Sequence, residues 1–126
     1  MDNAVLVVDD DEGLLETLHD LLEMEGYSVV LAHNGVEALE TLETLETLKP
    51  AVVLLDLRMP RMDGATFARE VHQRSNLQSL YIIVMTANLD AHKTAAAIGA
   101  NDFLAKPFDV DELLGKIEIA LHSSIH

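Results

Sequence analysis

The 126-residue sequence has no cysteine and no tryptophan, and no lysine or arginine before Lys49. Without cysteine there are no disulfides, no thiolate catalysis and no Cys-ligated zinc, a composition compatible with a reducing compartment. Basic residues are scarce throughout, 8 against 22 acids, for a formal charge of −14. A chain this acidic, with no Lys or Arg cluster, cannot neutralise many phosphates, so direct binding of DNA or RNA is not expected. Long apolar runs are missing too. The run from Ala4 to Val8 is five residues long, far short of the about 18 of a membrane span. The start, MDNAVLVVDDDE, has no basic region of a signal peptide. The expectation is a cytoplasmic chain with no membrane partner. Its length suits a single domain over 1–126, burying roughly two-thirds of its unfolded surface.

What is present reads as alternating elements. Ala4 to Val8 is apolar and β-branched and stops abruptly at Asp9, Asp10 and Asp11, as a buried strand does. Leu14, Leu15, Leu18, Leu21 and Leu22 then recur at spacings of three and four between Glu12 and Glu25, with Gly26 at the place of a C-cap. Tyr27 to Ala32 is a second strand, and Asn34-Gly35 turns into a helix near Val36. Pro50 precedes a third strand, Ala51 to Leu55, that ends on Asp56. A loop from Leu57 to Gly64 leads to a helix near Thr66 to Arg74, and a fourth strand, Leu80 to Met85, ends on Thr86. An alanine-rich helix over about Ala91 to Ile98 precedes a short strand, Asp102 to Ala105, that ends on Lys106. Asp109 and Glu112 have the spacing of a capping box at the start of the last helix.

Five strands alternating with five helices at this spacing predict right-handed crossovers and a doubly wound five-stranded parallel sheet, an α/β fold covered on both faces. Function in such sheets gathers beyond the carboxyl ends of the strands, near the point where strand order reverses. The residues there are Asp9 and Asp10, Asp56, Thr86 and Lys106. Three carboxylates at one edge repel one another, which favours a retained proton or a bound cation. All-oxygen ligation with few protein ligands suits Mg²⁺ or Mn²⁺. A carboxylate, a divalent ion, a lysine and a hydroxyl are the parts needed for phosphoryl transfer onto an aspartate.

The motifs VLVVDDDE, LLDLRMPRMDG, IIVMTA and FLAKPF, in that order and over essentially the whole length, resemble the receiver domain of bacterial two-component response regulators. The resemblance implies a flavodoxin-like receiver fold and a phosphorylatable switch rather than a turnover enzyme. Asp56 would be the phosphoacceptor, taking its phosphoryl group from a phosphohistidine on a sensor histidine kinase or phosphotransfer protein. Asp10 would ligate the metal directly and Asp9 through water, with Asp56 and the backbone carbonyl of Arg58 completing the protein ligands. Lys106 and Thr86 would contact the phosphoryl oxygens, and Lys106-Pro107 would be a cis peptide. On phosphorylation Thr86 would be drawn inward and Phe103 would move into the vacated space. Phe103 keeps the packing part of that switch but lacks the hydroxyl of the tyrosine common in the family.

The same resemblance makes the surface of the fourth predicted helix, the fifth strand and the last helix the one read by an output domain or downstream protein, or by a second copy in a homodimer. It also gives the first helix a part in docking the kinase. Thirteen of the acids lie in residues 1–48, so an acidic face there predicts a salt-sensitive encounter with a basic partner. Arg58 and Asn88, two places beyond Asp56 and Thr86, occupy positions that influence phosphoaspartate lifetime in the family.

Other readings are weaker. A flavin-binding module would need a Gly/Ser/Thr-rich phosphate loop after the first strand, where Asp9, Asp10 and Asp11 would repel phosphate. A phosphatase acting on external substrates commonly uses a D-x-D pattern, whereas the next acid after Asp56 is Asp63. An unphosphorylated interaction scaffold would not need every residue of the phosphoryl chemistry. Asp11 is a third consecutive acid where two are needed; Asp9 and Asp10 are aligned as functional because they directly follow the strand. The six histidines show no ligand spacing and read as surface residues. In LETLETLETL, Leu39 to Leu48, leucines three apart drift by roughly 60° per step around a helix, which fits a solvated helix edge better than a coiled coil.

Overall fold

A computed structural model describes residues 4–44, 50–56, 64–74, 80–87, 96 and 99–123. The strands are β1 (Ala4–Val8), β2 (Ser28–Ala32), β3 (Val52–Asp56), β4 (Tyr81–Thr86) and β5 (Asp102–Ala105). Among the described residues the helices are α1 (Glu12–Met24), α2 (Gly35–Thr44), α3 (Gly64–His72) and α4 (Val110–Ser123). The helix expected over about Ala91 to Ile98 falls outside the described residues except for Ala96, which is helical. The last four residues of LETLETLETL, 45–48, lie outside them as well.

All four strand pairings are parallel, in the order β2-β1-β3-β4-β5. The chain therefore steps one way from β1 to β2 and then returns across β1 to β3, so the order reverses between β1 and β3. Side chains alternate between the faces of the sheet. Val5, Val7, Val52, Leu54, Ile83, Met85 and Leu104 form one layer with Leu15, Leu18 and Leu22 of α1 and Leu113, Ile117 and Ala120 of α4. Leu6, Val8, Val53, Leu55, Ile82 and Val84 form the other with α2 and α3, through Ala38, Leu39, Leu42, Phe67, Ala68 and Val71. Burial on both faces explains why these strands read as continuous apolar runs rather than as alternating ones.

Helix ends obey local chemistry. Asp11 is the N-cap of α1, its carboxylate accepting the Leu14 N–H at 3.2 Å. Asn34 caps α2 by accepting the Glu37 N–H at 2.8 Å. At the other end of α1, Tyr27 N–H donates to Leu22 O and Gly26 N–H to Glu23 O, a Schellman ending that turns on the positive φ of 94° at Gly26. The capping box expected at Asp109 and Glu112 is not formed among the described residues. Asp109 instead receives the Leu113 N–H on its carbonyl, and its side chain is exposed, so water can serve the other first-turn donors.

Leu54 is fully buried in the central strand between α1 and α4. Leu54→Ala is expected to cost about 2–5 kcal/mol, read as a lowered urea midpoint with an unchanged denaturant slope.

Candidate functional site

Parallel strands end together, so β1, β3, β4 and β5 deliver Asp9, Asp56, Thr86 and Lys106 to one edge of the sheet. The register makes this explicit: Val8 lies beside Leu55, Asp56 beside Met85, and Thr86 beside Ala105. Asp9 is 1% exposed, Asp56 7% and Thr86 4%, whereas Asp10, the next residue along, is exposed. Asp9, Asp10 and Asp56 each offer a carboxylate oxygen, and these atoms lie within 4.8 Å of one another.

A buried carboxylate needs a partner. Asp9 has two: Lys106 Nζ donates to its Oδ2 at 3.1 Å, and the Asp11 N–H to its Oδ1 at 3.0 Å. Lys106 Nζ also stands 3.8 Å from Asp56 Oδ1. Its backbone is held beside the end of β4, where Lys106 N–H donates to Thr86 O at 2.8 Å. The Lys106–Pro107 peptide is cis. Lys106 supplies one positive charge among three carboxylates, which leaves two negative charges for a divalent ion to balance. The donor set is all oxygen, the kind that Mg²⁺ and Mn²⁺ prefer, so these residues fit such an ion. Asp11, the third acid of the run, is drawn away from the cluster to cap α1.

Phe103 pairs with Val84 in β5 and packs, half-buried, on the α2 and α3 layer. Arg58 and Asn88 lie outside the described residues. Beside the acidic cluster, an apolar cavity of about 500 Å³ opens between α1 and the start of α4. Leu14, Leu18 and Leu21 form one wall, and Pro107, Phe108 and Val110 another, with Lys106 between. Its pattern was visible in sequence only as the α1 leucine stripe; the second wall is tertiary.

His33, read above as a surface residue, has a structural role at the same edge. Its Nε2 is 2.5 Å from Glu12 Oε1 and its Nδ1 2.8 Å from Glu37 Oε1, so one imidazole joins the first turns of α1 and α2. The hydrogen bond to Glu37, then that to Glu12, raises its pKa above the ordinary 6.5, with burial opposing.

The model of the response regulator receiver domain family matches residues 5–118, and the chain belongs to that family. It is a receiver domain of two-component signalling. Response regulator MprA of Mycobacterium bovis (strain BCG / Pasteur 1173P2) is 41% identical over 123 residues, which cover 96% of this chain and 51% of the relative. The chain thus spans about half the length of the curated relatives it matches. Among solved structures, a putative response regulator from Chloroflexus aurantiacus has 33% identity and a TM-score of 0.87, covering 97% of this chain and 99% of that one. The receiver domain of a Pseudomonas aeruginosa sensor histidine kinase, with a magnesium ion coordinated in its active site cleft, has 29% identity and a TM-score of 0.86, with coverages of 97% and 99%.

Two outcomes follow from this geometry. Asp10→Asn, which removes an exposed carboxylate charge without touching the Lys106–Asp9 pair, should weaken Mn²⁺ binding about tenfold or more, about 1.4 kcal/mol, in a calorimetric titration. His33 has its pKa raised on folding, so its contribution is fully present below 6.5 and is lost as pH rises through the higher folded value. The stability deficit of His33→Gln in urea should therefore be larger at about pH 5.5 than at about pH 8.5; both partners are exposed, so the deficit is small.

Proposed function

We propose that this receiver domain accepts a phosphoryl group onto the Asp56 carboxylate from a phosphohistidine of a sensor histidine kinase or phosphotransfer protein. The observation that carries the reading is the convergence of Asp9, Asp10 and Asp56 on one point, with Lys106 beside them. An Asp56 oxygen forms the new O–P bond as the P–N bond to the donor imidazole breaks. Bound Mg²⁺ or Mn²⁺ supplies charge neutralisation for the phosphoryl oxygens. Asp10 and Asp56 are the direct ligands in this reading. Both oxygens of Asp9 already accept hydrogen bonds, which favours its acting through water. The Arg58 carbonyl is the remaining protein ligand proposed.

Lys106 holds a fixed positive charge beside Asp56 and can follow the phosphoryl oxygens as they develop charge. Thr86, buried at the end of β4, supplies the hydroxyl that a phosphorylated Asp56 draws inward, and Phe103 is the side chain that follows it. The changed surface around β5 and α4 is then read by an output domain, a downstream protein or a second copy of the chain.

The cavity between α1 and α4 shares Lys106 with the acidic cluster, so an apolar side chain seated there would hold a partner's histidine close to Asp56. The outer face of α1 carries Glu12, Glu16, Asp20 and Glu23, all exposed, with no Lys or Arg. A partner basic at the matching place is favoured, with an encounter that weakens as salt rises.

Incubation with Mg²⁺ and a small acyl phosphate should add one phosphoryl group by intact mass. Asp56→Asn should abolish the adduct, as should a chelator, and an unmodified wild-type mass would overturn the reading.

A further inference from the structure

Phe103 and Leu104 point to opposite faces of the sheet. Leu104 joins the layer of α1 and α4, and Phe103 the layer of α2 and α3. Lys116 belongs to α4, so its helix lies on the face away from the Phe103 ring. It nevertheless reaches that ring, because β5 is an edge strand and a four-carbon stem can pass around it. Lys116 Nζ stands 5.2 Å from the ring centroid and 3.0 Å from Asp102 Oδ1. The same Asp102 oxygen accepts the Phe103 N–H at 2.8 Å. One carboxylate oxygen thus ties the backbone of the aromatic residue to the ammonium that covers its ring. The Lys116 and Asp102 side chains are only 20% and 22% exposed, so the pair is less screened than one in open solvent.

We propose that Lys116, fixed by Asp102, is a latch on the switch aromatic, a positioning residue that holds Phe103 where it is seen and so sets how readily phosphorylation moves it. The proposal rests on the reading of Asp56 as phosphoacceptor and Phe103 as the side chain that moves. A phosphoryl group shifts the two arrangements only by its differential interaction with them. Any contact present in one arrangement alone opposes that shift by its own strength, and the coupling is reciprocal for binding. A cation over an aromatic ring at a partly exposed site is worth about a two- to fivefold change in such an equilibrium.

The test uses 4-fluorophenylalanine at the three phenylalanines, with the Phe103 fluorine resonance assigned through Phe103→Leu, and beryllofluoride with Mg²⁺ as a non-covalent phosphoryl mimic. Without the mimic, Lys116→Met should move or broaden the Phe103 resonance, and it should bind beryllofluoride about two- to fivefold more tightly than wild type. Asp102→Asn should shift both readouts in the same direction, and Lys116→Arg, which keeps the cation, should restore them. A Phe103 resonance and an affinity unchanged in Lys116→Met would overturn the latch, as would Lys116→Arg behaving like Lys116→Met. If wild type binds no beryllofluoride, the phosphoacceptor reading falls, and the resonance without the mimic still decides whether Lys116 holds the ring.

Discussion

A buried carboxylate at the end of the first strand, Asp9, is balanced by a lysine 97 residues later in the chain, and the site depends on that pair. Left alone in a nearly dry environment, the Asp9 charge would cost several kcal/mol. Lys106 offsets that cost, its side chain reaching Asp9 at the end of β1 from the end of the edge strand β5. The same ammonium therefore serves the fold and stands beside Asp56. Because it is one charge among three carboxylates, it leaves a cluster of oxygen donors that could hold a divalent cation.

The parallel sheet makes this arrangement possible. In a parallel sheet every strand ends on the same edge, so residues that are the last of their strands become neighbours whatever their separation in sequence. Two apolar layers, one under α1 and α4 and one under α2 and α3, hold the strand ends in place. The polar chemistry sits where the apolar burial stops. On one side of the cluster, His33 joins α1 to α2; on the other, the cavity lined by α1 and the start of α4 shares Lys106 with it. The far edge of the sheet carries a second polar cluster, in which Lys116 bridges Asp102 and the Phe103 ring.

Much of this was legible in the linear sequence. Continuous apolar runs that stop at Asp9, Asp56 and Thr86 suit strands buried on both faces, as in a parallel sheet covered by helices on either side. Less legible were the helix ends. Asp11 leaves the acidic run to cap α1, a choice between three adjacent carboxylates that depends on where the first helical turn begins. Asp109 and Glu112 carry the spacing of a capping box, yet solvent can satisfy those donors, and the side-chain bonds are not made. His33 looked isolated because, although Glu37 is only 4 residues on, Glu12 is 21 residues back, and the pairing of β1 with β2 is what brings that partner to it.

The sequence by itself determined the alternation of strands and helices, the family, and which residue types end each strand, because periodicity and strand-end chemistry are local properties of a chain. Only the tertiary structure decided which of those groups share charge. Lys106 lies closer to Asp9 than to Asp56, Lys116 passes around the β5 edge to Phe103, and a leucine stripe on α1 becomes a cavity wall. Those pairings are set by strand order, register and the bulk of the packed layers, and none of these is a property of any segment alone.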